Sequence, residues 1–280
     1  MKVGLSLGGG GALGYAHIGV IRALIEGGVP IDIINGSSMG AIIGGAYALY
    51  GDIEPVSTKV EGIVESTDIK YLDLFTSKNE INPFLRRWLA NAVCDVSLLR
   101  SSILPHKNYV KALRLIFSDY QFDDTSIPFS AVAVDLLSEE VIVLNEGPLV
   151  DGILPSISIP GIFPPVERDG YLLVDGSVLA DVPVRELRWQ GADFIIAVEL
   201  VGKIQPYIET GFDILSVIEM MKGRIIARWE TENADFRISV NIPEIDIFSF
   251  EAHQQAISGG YQRAIDALPE LHERLLQHGV

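Results

Sequence analysis

A single cysteine, Cys94, stands among the 280 residues. No disulfide can form within the chain, and a reducing, cytoplasmic setting is expected. Positive charge is scarce as well, with Lys+Arg 21 against Asp+Glu 37 and a formal net charge of -16. A surface of that sign repels the phosphates of nucleic acids and anionic lipids alike, so a nucleic-acid binder is excluded as a reading. Long apolar runs are also missing. Residues 33–51 carry no charge, but Gly36, Gly40, Gly44, Gly45 and the polar stretch Asn35-Gly36-Ser37-Ser38 divide them into a strand and a buried helix. The four glycines Gly8 to Gly11 likewise split the first apolar segment. No cleavage site of small residues follows, and a mature N-terminus is expected. Repeats, low-complexity tracts and linkers are absent too. With 48% hydrophobic residues, a single domain over 1–280 with a large core is expected.

What is present is centred on Ser38. Gly36-Ser37-Ser38-Met39-Gly40 lies between a strand-like run and a helix-like run, the context a nucleophile elbow needs. A strand that turns sharply into a helix exposes the central hydroxyl in a strained conformation, and the flanking glycines remove side chains that would collide. The pentapeptide by itself fits an ordinary glycine-rich turn equally well, so its partners must decide.

The first candidate partner is the glycine loop. Val3 to Leu7 predicts a strand, Ala12 to Glu26 a helix, Ile31 to Ile34 a second strand, and the elbow then leads into a second helix. This βαβα order argues for a parallel sheet covered by helices. Gly9-Gly10-Gly11-Ala12-Leu13-Gly14 admits two readings. It matches the dinucleotide fingerprint, with Asp32 near the place of a ribose-binding acid. It also offers several free amides to an oxyanion, the preferred reading because the next βα turn carries the serine.

The second candidate partner lies far downstream. Tyr171 to Asp175 reads as an apolar strand that ends in an acid and a glycine turn. Asp-Gly pairs commonly serve only local backbone donors. A partly buried aspartate within hydrogen-bond reach of Ser38 would instead act as its general base. Between these partners, residues 65–125 form a candidate helical cap, with Phe84, Leu85, Trp88, Leu89 and Ala92 on one helical face and Tyr109 to Phe117 similarly amphipathic. Ordinary helices covering the sheet explain the same pattern. Phe129 to Leu136 and Val141 to Leu144 predict a hairpin, Leu149 to Ser158 a short helix, and Phe194 to Leu200 and Phe236 to Val240 further strands. Ile214 to Trp229 predicts a helix with an apolar stripe, and Ala252 to Leu276 a helix interrupted at Gly259-Gly260 and Pro269.

Taken together, the loop Gly8 to Gly14, the elbow at Ser38 and Asp175-Gly176 resemble the patatin-like phospholipase family. The likeness extends to GYAHIGV at 14–20, PGIFPPV at 160–166 and ISGGYQRAIDAL at 257–268, similar to its bacterial branch. The resemblance implies a three-layer α/β/α fold with a mostly parallel central sheet and hydrolysis of lipid acyl esters. It assigns Ser38 as nucleophile, Asp175 as base and the amides of Gly9, Gly10 and Gly11 as oxyanion hole, with Gly14, Gly36, Gly40 and Gly176 supporting the motifs. It implies a lipid or other acyl-ester substrate and peripheral membrane contact, with no cofactor and no metal. The oligomeric state stays open.

Two positions depart from the family pattern. Leu13 replaces the usual Arg or Lys, which weakens a phospholipid preference. Ser177 follows Asp175-Gly176, and Asp181 takes the place of an asparagine, setting a second carboxylate near the base. Two other readings remain at this stage: a Ser-Asp-His hydrolase using His253, and a non-catalytic binding module that keeps the fold. His17, on the first helix, is expected to be a hydrogen-bonded core histidine.

Overall fold

A computed structural model describes residues 1–64, 102, 105–202, 211–245 and 249–279. The predicted apolar face at Phe84 to Ala92, including Trp88, lies outside the described residues. The described residues form one eight-stranded sheet flanked by helices. Its central strands are β1 (Val3–Leu7) and β2 (Ile33–Gly36). Every residue of both is buried, as expected of parallel strands covered on two faces. β3 (Phe129–Asp135) continues the sheet beyond β2, while β7 (Phe194–Val201) and β8 (Phe236–Asn241) extend it from the other side of β1, all parallel.

Three strands run against that direction. β4 (Glu140–Leu144) forms the predicted hairpin with β3, and β5 (Val166–Arg168) pairs with β6 (Tyr171–Asp175), which itself lies antiparallel to β3. The sheet is therefore mixed and mostly parallel, as the sequence predicts. The chain runs from β1 through β2 to β3 on one side and later returns to β7 and β8 on the other, so the strand order reverses at β1, whose carboxyl end opens on the crevice where such sheets place their ligands.

Helix α1 (Ala16–Glu26) follows a 3-10 turn at Gly11–Tyr15, so the helix expected from Ala12 begins as a tighter turn. α2 (Met39–Tyr50) leaves the elbow, and α3 (Ile53–Val64) and α4 (Lys107–Phe117) come next. α5 (Leu149–Ser156), α6 (Val184–Trp189), α7 (Gly211–Thr231) and α8 (His253–His278) complete the cover.

α8 differs from expectation, since it runs unbroken through Gly259-Gly260 and Pro269. The reason is tertiary. A Cβ on Gly260 would stand 2.1 Å from the Ala16 carbonyl oxygen, and one on Gly19 1.9 Å from that of Ile257. These glycines let the backbones of α1 and α8 touch, and packing outweighs their low helix propensity.

Candidate active site

The glycine loop and the elbow meet because their strands end level with one another. Leu7 pairs with Gly36 on one side and Val198 on the other, so Gly8 and Ser37 leave the sheet at the same carboxyl end. At the elbow Ser38 takes φ 53 and ψ -123, a positive φ that costs a non-glycine residue on the order of 1–3 kcal/mol. Tight contacts hold it there. A Cβ on Gly40 would meet the Leu7 carbonyl oxygen at 2.2 Å, one on Gly36 would meet Gly40 itself at 2.4 Å, and one on Gly14 would strike Met39 Cβ at 2.3 Å. The Ser38 amide donates to Ser156 Oγ at 3.0 Å.

Asp175 arrives from beyond the elbow. β6 runs antiparallel to β3, with Leu173 opposite Asp135 and Asp175 opposite Ala133, and so descends toward the end of β2. Gly176 lets this turn seat itself, since a Cβ there would lie 2.6 Å from the Val132 carbonyl and 2.7 Å from Ser37 Oγ. The outcome is a direct hydrogen bond. Ser38 Oγ donates to Asp175 Oδ2 at 2.8 Å, across 137 residues of sequence.

The other oxygen of Asp175 accepts from the Ser177 amide at 2.9 Å and from Ser177 Oγ at 2.7 Å. Burial raises the carboxyl from 3.8 to about 6, while these donors and Ser38 pull in the other direction. The acid is thus more basic than an ordinary aspartate and still ionised near neutrality. Its backbone amide donates to the Ser158 carbonyl at 3.0 Å. His106 Nε2 lies 3.2 Å from Ser158 Oγ. Ser156, Ser158 and His106 carry no motif in the sequence, and only the fold reveals their place beside the pair.

The amides of the glycine loop differ in their bonding. The Gly9 amide is occupied, donating to the Asp181 carbonyl at 3.0 Å, and the Gly8 amide likewise donates to Val198. The bond to Asp181 ties Gly9 to the segment that follows Asp175. Among the described residues, the amides of Gly10, Gly11 and Met39 donate to no acceptor. Gly10 and Gly11 adopt φ 151 and φ 54, conformations that L side chains rarely take. His17 is fully buried with Nε2 2.8 Å from the Gly8 carbonyl. Burial lowers it to about 4, so the ring is neutral and donates this bond, as expected of a core histidine.

Leu13 is buried in the core and brings no cation. Asp181 does stand close by. Its Oδ1 lies 2.7 Å, and Ser38 Cβ 3.4 Å, from the one point a Cβ on Gly9 would occupy. Burial first, then the charges of Asp175 and Glu199, raise the Asp181 carboxyl to about 7.

Two alternative readings lose their geometry. Asp32 accepts the Val3 amide at 2.7 Å, at the opposite end of β1 from the glycine loop, where no ribose of a loop-bound dinucleotide would reach it. His253 bonds the Phe250 carbonyl at 3.3 Å and packs edge-on against Tyr15, and the hydrogen bonds to the Asp175 carboxylate come from Ser38 and Ser177 instead. No group of three or more metal-ligating side chains gathers among the described residues.

Fold and site thus define an α/β protein with a serine elbow, a glycine loop and an aspartate gathered at the carboxyl ends of its central strands. The family model for patatin-like phospholipase matches residues 5–188. The chain belongs to that family. An uncharacterised NTE family protein of Mycobacterium tuberculosis is 37% identical over 201 residues, covering 72% of this chain and 49% of the relative. A patatin-like phospholipase domain-containing protein of Caenorhabditis elegans is 32% identical over 205 residues, covering 72% of this chain and 14% of its own length. The chain therefore spans about half or less of these relatives. The crystal structure of VipD from Legionella pneumophila superposes with a TM-score of 0.59 at 17% identity, covering 96% of this chain and 67% of that one. The likeness to VipD is one of fold.

Proposed function

We propose that this chain is a serine acyl hydrolase of lipid esters, working through a Ser38–Asp175 dyad. The observation that carries the reading is the 2.8 Å bond from Ser38 Oγ to a buried, ionised Asp175. Membership of a family described as patatin-like phospholipases supports a lipid acyl ester as substrate.

In this mechanism Asp175 takes the proton of Ser38 Oγ as that oxygen attacks the ester carbonyl carbon. The carbonyl oxygen becomes an oxyanion, received by the amides of Gly10 and Gly11 and, from the start of α2, of Met39. Collapse breaks the bond to the alcohol oxygen, which leaves with the proton held by Asp175. Water then attacks the acyl-enzyme by the same route, giving the free acid and restoring Ser38. The raised basicity of Asp175 suits this exchange, because a base close to the working pH both accepts and returns a proton readily.

A panel of phospholipid, lysophospholipid, acylglycerol and thioester substrates tests the proposal. Fatty acid release from at least one class, abolished in Ser38→Ala, is expected. Equal release by Ser38→Ala would overturn it.

A further inference from the structure

The backbone amide of the nucleophile has a side chain for its acceptor. Around the elbow, the Ser37 amide donates to the Leu7 carbonyl, that of Gly40 to Ser37, and those of Ala41 and Ile42 to Ser38. The Ser38 amide instead donates to Ser156 Oγ, 118 residues further along. Both residues are sealed from water, with Ser156 at 0% and Ser38 at 7% exposure. A buried amide cannot turn to solvent for another acceptor, so the Ser156 hydroxyl is what satisfies it.

The same segment also holds the base. Ser156 ends α5, and two residues on, the Ser158 carbonyl accepts the Asp175 amide at 3.0 Å. Between these points the backbone closes on itself, because the amides of Ile157 and Ser158 donate to the carbonyls of Leu154 and Pro155. Ser158 Oγ donates to the Leu154 carbonyl at 2.8 Å and, its proton so used, accepts from His106 Nε2 at 3.2 Å. Helix α5 is itself anchored. Leu149 and Ile153 are fully buried, and a Cβ on Gly152 would strike Phe122 at 2.4 Å. Residues 156–158 thus form a short bridge with the Ser38 amide at one end and the Asp175 amide at the other.

Such a bridge bears on rate through geometry. Ser38 holds a positive φ, and a backbone that relaxed toward a commoner conformation would turn Oγ away from Asp175 Oδ2 and from the amides of Gly10 and Gly11. An amide tied to a buried oxygen opposes that rotation. The bond also fixes what the Ser38 amide does not do. Already occupied, it is no part of an oxyanion hole, which leaves that work to Gly10, Gly11 and Met39. Misplacing reacting atoms by about 1 Å costs about 100-fold in rate, so a contact outside the chemistry can govern it.

We infer that Ser156 is a positioning residue of the acyl-transfer reaction: its hydroxyl, on the bridge that also carries Asp175, holds the backbone of the nucleophile in its reactive conformation. The inference rests on the reading of Ser38 and Asp175 as the dyad. Ser156 acts through the Ser38 backbone and takes no proton in the reaction.

Fluorophosphonate labelling rates and turnover of p-nitrophenyl butyrate by the full chain test the inference, with circular dichroism as the check of folding. Ser156→Ala should label only at Ser38 but about 10- to 100-fold more slowly, the scale of one buried amide left without its acceptor. Its kcat should fall by a like factor while KM stays within about 3-fold. Ser156→Cys, close to serine in shape with a sulfur that accepts weakly, should fall alongside it and carries the test where the alanine chain does not fold. Ser156→Thr keeps the oxygen and should label at least about 5-fold faster than either. Labelling of the alanine or cysteine chain at the wild-type rate would overturn the inference and leave the dyad standing. A loss confined to KM, or one that threonine does not recover, would do the same. A folded wild-type chain without Ser38 labelling would overturn the dyad, and the role of Ser156 with it.

Discussion

At the scale of single residues, the pairing of Ser38 with Asp175 separates two nearby carboxyls by role. Three donated hydrogen bonds stabilise Asp175 in its ionised form, whereas Asp181 holds its proton up to about 7. Asp175→Asn should lower the rate of fatty acid release about 1000-fold or more, while Asp181→Asn should keep activity within about 10-fold of wild type. The opposite order in steady-state assays would reassign the base. Only ionised Asp175 accepts a proton, and its folded value is raised to about 6. The rate should therefore climb as pH rises through about 6, and a profile flat from pH 4 to 7 would contradict this assignment. Ser38 and Asp175 were legible in the sequence because each sits in a short motif with its own local geometry. The occupied Gly9 amide was not, since its acceptor Asp181 lies 172 residues away and no local pattern links them. Ser156 and Ser158 escaped for the same reason.

At the scale of elements, glycines do opposite things in different helices. Gly19 meets the backbone of α8, whereas a Cβ on Gly223 of α7 would find nothing within 4 Å. Gly19→Ala should lose about 1–3 kcal/mol or more through forced separation of α1 and α8. Gly223→Ala should gain up to about 1 kcal/mol from helix propensity alone. Urea denaturation midpoints check both, and two shifts of one sign would refute the contrast.

The strands were legible from their apolar runs, and so was the order of β1, α1, β2 and α2. The continuity of α8 was not, because propensity reads Gly259-Gly260 as a break while the contact with Ala16 requires it. The apolar stripe of α7 faces outward and shows a similar limit: periodicity finds an apolar face without saying what covers it.

The attachment of α7, whose Glu230 accepts the Val182 amide at 3.1 Å, also depends on pH. Burial and the charge of Glu186 raise Glu230 from 4.5 to about 9. A carboxyl with its folded value above its unfolded one contributes stability that is full below 4.5 and lost as pH rises through about 9. Glu230→Gln should therefore flatten the fall in thermal midpoint between pH 5 and 9. Parallel curves for the two chains would contradict this.

At the scale of the whole molecule, the carboxyl ends of the central strands gather three segments far apart in the chain. Parallel strands deliver the glycine loop and the elbow, and an antiparallel strand returns the acid to meet them. Net charge, by contrast, speaks only to what the surface meets. The arrangement has its chemical meaning if Ser38 is a nucleophile that Asp175 activates. Fluorophosphonate labelling of the intact chain, read by mass spectrometry, tests that most directly. One adduct on Ser38 is expected in the wild-type chain, with none in Ser38→Ala and at least about 100-fold slower labelling in Asp175→Asn. A folded wild-type chain that takes no label, or an Asp175→Asn variant labelled at the wild-type rate, would contradict the account.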